Sequence, residues 1–352
     1  MTDQPNATVT AALDAVASGE DLSVAQAAAV LTEIMAGEVS QTQIAGFLIG
    51  LRTKGETVEE LTGLAQAMRA LATRVNARAP DLLDTAGTGG GRSSFNVSTT
   101  AALIAAGAGC SVAKHGNRSA TGLSGSADLL EALGARIDLD ADAVARCIDE
   151  VGFGFMFAPA HHHATRTVVG VRRELAVRTI FNFLGPLTNP AGARRQLIGV
   201  SDARYLETIA GALARLGVDR ALVVAGEDGL DEVSASAPTR IVEVNGEEIA
   251  AYTVDPGELG VNGDREAPPG GTPQANAALA RAVLGGEPGG AADLALVNAG
   301  AAIYAAGGSA SLREGVERAR EAIDNGRAAQ ALERFVAATL DDLGASAGGG
   351  TA

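Results

Sequence analysis

Four stretches of the sequence gather side chains able to do chemistry. In the first, an apolar run from Asp84 feeds into Gly87, Gly89, Gly90 and Gly91, and then into Asn96, Val97, Ser98 and Thr99 at a helix start. Consecutive glycines let backbone N–H groups approach an oxyanion, and a helix start adds partial positive charge and hydroxyl donors. The pattern suits phosphate or pyrophosphate; an ordinary tight turn is the plainer alternative. It is neither a Walker A loop, which needs Gly-Lys-Ser/Thr, nor a clean G-x-G-x-x-G. In the second stretch, Lys114 to Gly122 leads on to Ser124 and Ser126, so cations, an amide, hydroxyls and glycines meet in one strand-to-helix turn. A capped helix start at Ser124 or Ser126 is compatible with an anion site there, because the next helix, 127–133, turns its positive end to the same place.

The third stretch holds His161, His162 and His163, then Arg172, Arg173 and Arg178. Adjacent histidines point in different directions and no second His or Cys pair completes a zinc set. The arginines suit an organic carboxylate, which a guanidinium grips through two hydrogen bonds; at least one is expected to pair with Glu174 or another surface acid. The fourth stretch is Gly226 to Ser234, with Asp231 and Glu232 adjacent, directly after an expected strand. Carboxylates at the end of a parallel strand lie where α/β proteins bind ligands, and two oxygen ligands suit Mg2+ completed by substrate phosphates. An acidic surface loop is the plain alternative.

The elements that must hold these stretches are legible. Residues 6–78 read as helices, with capping boxes expected at Ser23/Gln26, Ser40/Gln43 and Thr57/Glu60 and helix stops at Gly37 and Gly55. Ile44, Phe47, Leu48 and Leu51 repeat at helical spacing. From about residue 80, expected strands (82–86, 111–113, 196–200, 221–225, 241–244) alternate with helices (99–107, 127–133, 205–216). The fold class is therefore α/β: a small N-terminal helical domain plus a larger α/β domain with a mostly parallel central sheet flanked by helices. Residues 255–275 read as a loop and 344–352 as a disordered tail.

The chain has 352 residues and a net charge of −15, which opposes nonspecific binding to nucleic acid or an anionic membrane. No apolar run is long enough to span a membrane, and the start lacks a signal-peptide pattern, so a cytoplasmic location is expected. Two cysteines, Cys110 and Cys147, make no disulfide framework. Of 27 basic residues only Lys54 and Lys114 are lysine, which fits either salt adaptation or GC-driven codon bias.

Taken together, GEVSQTQIAGFL (37–48), GTGG (87–90), FNVST (95–99), KHGNRS (114–119), SGSADLLEALG (124–134), FAPAHH (157–162), RRELAVRTIFNFLGPLTNP (172–190), GEDGLDE (226–232) and SLREGVERAREAI (311–323) resemble the anthranilate phosphoribosyltransferase family of tryptophan biosynthesis. The resemblance implies a helical domain over 1–78, completed by helices near 165–190, an α/β phosphoribosyl-binding domain over 79–343, and a homodimer through the helical parts. It implies transfer of phosphoribose from phosphoribosyl pyrophosphate (PRPP) to the amine of anthranilate, with Mg2+. It assigns PRPP to Gly87, Gly90, Gly91, Ser94, Asn96, Val97, Ser98, Thr99, Lys114, His115, Gly116, Asn117, Arg118, Ser119, Ala120, Thr121, Gly122 and Ser126. Mg2+ falls to Ser98, Asp231 and Glu232, and anthranilate to Gly87, Asn117, Arg172, His115 and His162. Lys114, Arg172, Asp231 and Glu232 would carry catalysis.

The sequence departs from the family pattern in four places. GTGGDG is replaced by Gly91-Arg92 in a loop one residue shorter, which removes a carboxylate. His-His-Pro becomes His161-His162-His163, RELG ends in Ala176, and HGEDG begins with Ala225. The competing readings are a pyrimidine nucleoside phosphorylase of the same fold, which should lack the KHGNR run, and a non-catalytic nucleic-acid-binding relative, which should carry a basic groove.

Overall fold

The N-terminal helices start where hydroxyls stand ready to cap them. In the computed structural model, which describes residues 4–92, 94–119 and 122–347, these are α1 (Ala7–Ala17), α2 (Val24–Ala36), α3 (Gln41–Lys54) and α4 (Val58–Ala70). Ser23 with Gln26 and Thr57 with Glu60 form complete capping boxes. Ser40 caps α3, but the Gln43 side chain bonds the Asn6 backbone instead, tying α3 to the start of α1.

The α/β part follows as β1 (Leu83–Gly87), α5 (Val97–Gly107), β2 (Val112–Gly116), α6 (Ser126–Ala132), α7 (Ala141–Val151) and β3 (Phe153–Phe157). Three short helices, α8 (Ala158–His161), α9 (Arg166–Leu175) and α10 (Phe181–Leu187), return towards the helical bundle. Then come β4 (Arg195–Gly199), α11 (Leu206–Arg215), β5 (Arg220–Gly226), β6 (Thr239–Asn245), β7 (Glu248–Val254), and helices α12 (Pro273–Leu284), α13 (Gly290–Ala305), α14 (Leu312–Asp324) and α15 (Arg327–Ala347). The sheet order is β3-β2-β1-β4-β5-β6-β7, parallel from β3 to β5 and antiparallel at β6 and β7.

Alternate residues of the central strands feed two cores, as the two-residue period requires. Leu222 and Val224 join α5–α7 and α12–α15 on one face. Ala221, Val223 and Ala225 face a second core built from α1–α4, α9, α10 and α11. Both faces of the central strands are therefore covered. The edge strand β3, Phe-Gly-Phe-Met-Phe, is an unbroken apolar run whose Phe153, Phe155 and Met156 all join the first core.

Several boundaries differ from expectation. β2 runs on to Gly116, so Lys114 and His115 are strand residues rather than turn residues. The loop expected over 255–275 ends at Thr272, whose hydroxyl caps α12 with Pro273 in its first turn. Helix α6 is capped from Gly125, with Asp128 reaching back to its N–H. Instead of a disordered tail from 344, α15 continues to Ala347 on Ala-rich sequence; 348–352 lie outside the described residues.

β1 pairs with β4 along all of its length but with β2 at Leu83–Val112. Beyond that point side chains bridge the two strands. The buried Asp84 accepts from the His115 N–H (3.0 Å) and from Asn189 Nδ2 (2.8 Å), which also donates to Ala113 O (2.8 Å). Asn189 Oδ1 accepts from the Ala191 N–H at 2.9 Å. Asn189→Leu keeps the bulk but strands buried polar groups, so it should cost about 3 kcal/mol in denaturant unfolding. A loss below about 1 kcal/mol would show that the bridge carries little.

Candidate active site

The strand order reverses between β1 and β4, and a crevice opens at the carboxyl ends of these strands, the usual ligand position in such sheets. Gly87 ends β1 and Gly199 ends β4, and the loop carrying Asp231 closes onto both. A methyl group on Gly87 would sit 3.1 Å from Asp231 Oδ2, and one on Gly91 would sit 2.7 Å from Asp231 Oδ1. These glycines thus admit a carboxylate as well as an oxyanion. Arg92 N–H donates to Gly229 O (2.7 Å), and its guanidinium lies 3.6 Å from both Asp228 and Glu266. The replaced loop is therefore anchored to the acidic loop.

Asp231 and Glu232 are both partly buried. Burial, then the charge of Asp231, pushes the Glu232 carboxyl up to about 8; Lys114 and the Ser98 N–H act the other way. Burial also raises Asp231, against the Gly89 N–H and Arg178. Adjacent, partly buried carboxylates of this kind fit a divalent cation. Among the described residues no third His, Cys, Asp or Glu joins them, so the set suits Mg2+, which takes one or two carboxylates and fills the rest with waters and phosphate oxygens.

Helix α5 starts at Asn96 without a side-chain cap, leaving its first N–H groups to other partners. The Asn96 side chain instead exchanges hydrogen bonds with Ser124 (2.9 and 3.1 Å) and accepts from Asn276 (2.8 Å), holding three segments together. Ser94 Oγ donates to Phe95 O at 3.1 Å. The Val97 side chain lies in the core, and the buried Thr99 hydroxyl has no partner.

Lys114 is 1 % exposed, and its ammonium contacts Thr85 O (2.5 Å), Thr85 Oγ1 (3.3 Å) and Ser98 Oγ (3.4 Å). It is thus beneath the crevice floor rather than in the phosphate-facing turn, because strand β2 carries its side chain inward. Burial lowers its pKa, while Asp84 and Glu232 pull it back up. The Arg118 guanidinium is also committed: it bonds Asp128 (2.8 Å) and Glu131 (2.5 and 2.9 Å) on α6 and lies 5.7 Å from the Phe157 ring. Two acids projecting from the next helix thus hold the guanidinium against α6. Gly116 packs on Ser126, Asn117 is exposed, Ser119 N–H reaches Asp128, and Gly122 N–H reaches Ser119 Oγ. Ala120 and Thr121 lie outside the described residues.

Arg172, in the last turn of α9, is half-buried, 5.3 Å from the Phe181 ring. None of Arg172, Arg173 and Arg178 forms an ion pair among the described residues. The Arg172 guanidinium has no hydrogen-bond partner there either, and burial lowers its pKa. Arg178 is turned onto the glycine loop, donating to Gly89 O and to Thr88 O (3.2 Å). That use of Arg178 was not legible from spacing, since it depends on how α9 and β1 meet.

The His115 and His162 rings lie 5.0 Å apart, and both Nε2 atoms are buried without a partner among the described residues. His115 Nδ1 is 3.3 Å from Gly185 O, so it carries the His115 proton and leaves Nε2 as an acceptor.

Both domains match known sequence families. The helical bundle domain of the glycosyl transferase family matches residues 10–72, and its a/b domain matches residues 79–329. A curated relative from Symbiobacterium thermophilum, an anthranilate phosphoribosyltransferase, is 52 % identical over 92 % of this chain and 96 % of its own length. The crystal structure of the Thermus thermophilus anthranilate phosphoribosyltransferase superposes with a TM-score of 0.88 at 46 % identity, covering 94 % of this chain and 99 % of that one. The Saccharomyces cerevisiae enzyme in complex with PRPP and Mg has a TM-score of 0.86 at 28 % identity, covering 96 % and 99 %. Fold and site thus define a pentosyl-transferring member of the glycosyl transferase family. Within it, the chain belongs to the anthranilate phosphoribosyltransferases.

Burial, and then the neighbouring histidine, hold His115 down to about 3 and His162 to about 4. Unfolded, each takes up a proton near pH 6.5; folded, it does not, so their contribution is complete above that pH and falls away towards pH 4. Stability should drop over this window more steeply in the wild type than in His162→Gln, followed by urea unfolding at stepped pH. Parallel profiles would contradict the neutral-histidine assignment.

Proposed function

We propose that this chain carries out its family's reaction, transfer of phosphoribose from PRPP to the amine of anthranilate with release of pyrophosphate, through the crevice between β1 and β4. The observation that carries the assignment is a partly buried carboxylate pair, Asp231 and Glu232, seated against the glycine loop that leads into α5. PRPP lies along the glycine loop, the α5 N-terminus and the 116–126 turn, where backbone N–H groups and hydroxyls outnumber acceptors. Ser98, Asp231 and Glu232 would hold Mg2+, which when bound would supply neutralisation of the leaving pyrophosphate. Lys114, which reaches no ligand directly, is a positioning residue: its charge and donors hold Thr85, Ser98 and the acid pair in place.

Arg172 grips the anthranilate carboxylate and aims the amine at the ribose C1. The aromatic amine is neutral at pH 7 and attacks without prior deprotonation. His115 and His162 line its approach, and the His115 acceptor nitrogen suits an amine N–H. The division into domains at 78/79 belongs to this proposal. It is supported by the core that α9 and α10 share with α1–α4. A homodimer through the helical part draws support from exposed Ile49, Leu71, Val169 and Val177, four of the seven large apolar side chains left exposed among the described residues. No helix of the described residues is long and apolar enough to cross a membrane, and the small anionic substrates suit a cytoplasmic location.

The direct test is loss of anthranilate fluorescence in the presence of PRPP and Mg2+; no consumption across a range of salt and Mg2+ overturns the proposal. Arg172→Ala should raise the anthranilate KM at least about tenfold more than the PRPP KM, as expected from losing a charge-assisted pair. Equal effects on both would refute its role. Asp231→Ala with Glu232→Ala should abolish Mg2+-dependent turnover. Sedimentation of Ile49→Asp/Val169→Asp should give a monomer where the wild type is a dimer.

A further inference from the structure

The glycine loop has to present N–H groups inward, yet glycine peptides at positive φ rotate cheaply. Gly89 and Gly90 have φ of 65° and 82°. In a trans peptide the C=O and the following N–H point in opposite directions. Arg178 holds the carbonyls of Thr88 and Gly89, so the N–H groups of Gly89 and Gly90 face away from it. On that side the Asp231 carboxylate stands against the loop at Gly87 and Gly91. The Gly90 N–H is exposed and has no acceptor among the described residues.

Arg178 is itself fixed from the helical side. Its carbonyl accepts from Arg52 of α3 (2.9 Å), and the next N–H, of Thr179, bonds Asn182 Oδ1 (3.1 Å). Its charge faces Asp202 and Asp231. A side chain on Gly90 would run into the guanidinium.

We propose that Arg178 is a positioning residue for the phosphoribosyl donor: by holding two loop carbonyls outward it turns the Gly89 and Gly90 N–H groups towards the phosphate. This rests on the reading of the glycine loop as the PRPP site. Arg178 touches neither substrate, and it carries the set of the loop from the domain that holds Arg172 to the domain that holds Asp231.

The test uses the full-length enzyme with Mg2+, PRPP and anthranilate. Arg178→Ala and Arg178→Met should raise the PRPP KM about tenfold, the scale of two charge-assisted hydrogen bonds, and leave the anthranilate KM within about twofold. Guanidinium ion added at millimolar concentration should recover part of the loss in Arg178→Ala but not in Arg178→Met, whose side chain fills the space; a merely structural role would not respond. An unchanged PRPP KM, or equal rises in both KM values that guanidinium does not relieve, overturns the proposal. Ser98→Ala separates the two readings. If it raises the PRPP KM while the Arg178 variants do not, the Arg178 proposal alone fails. If it leaves that KM unchanged as well, the loop is not the PRPP site.

Discussion

The structure depends on one buried cation. The Lys114 ammonium lies in the interior between β1 and the first turn of α5, with Asp84 on one side and Glu232 on the other. A charge this deep is tolerable only when its donors are satisfied and counter-charges are close. Those needs dictate much around it: Thr85 and Ser98 supply oxygens, Asp84 is held by Asn189 and the His115 N–H, and β1 and β2 are joined there by side chains. The crevice is the open end of that arrangement. Its acids gather over an interior positive charge although the protein as a whole carries −15.

The two domains meet through a few specific contacts as well as through apolar packing. Glu56, after α3, is buried and accepts from the Tyr205 hydroxyl at 3.1 Å, while the Tyr205 ring lies 4.4 Å from Phe183. Thr73, in the connection between the domains, exchanges two hydrogen bonds with His161, at 2.8 and 3.1 Å. With Arg52 and Arg178, these contacts set how α9, which bears Arg172, stands relative to the glycine loop. None of these contacts is announced by residue type or spacing alone.

That explains how far the sequence could be read. Helix starts were legible at Ser23 and Thr57 because a capping box is a local event; at Ser40 the cap formed but Gln43 found a distant partner in Asn6. Strands with glycine or polar boundaries were legible, whereas β3 was hidden by its uniform apolarity and β7 by its exposed edge position. The acidic pair and the glycine loop were recognisable from residue type and order. The states of Lys114, Arg118 and Arg178 were not, because each is decided by a neighbour far along the chain or on another element: Thr85, Glu131 and Gly89.

Ala176 closes α9 at φ 51°, a left-handed conformation adopted where the family pattern has glycine. An alanine there costs about 1 kcal/mol in the folded chain, but it also narrows the conformations open to the unfolded chain and to local excursions. The residue lies between Arg172, at the end of α9, and Arg178, which holds the glycine loop. The connection between the two guanidinium groups therefore acts as a stiff spacer rather than a swivel. A strained residue without chemistry of its own in this way helps fix where both side chains stand relative to the loop.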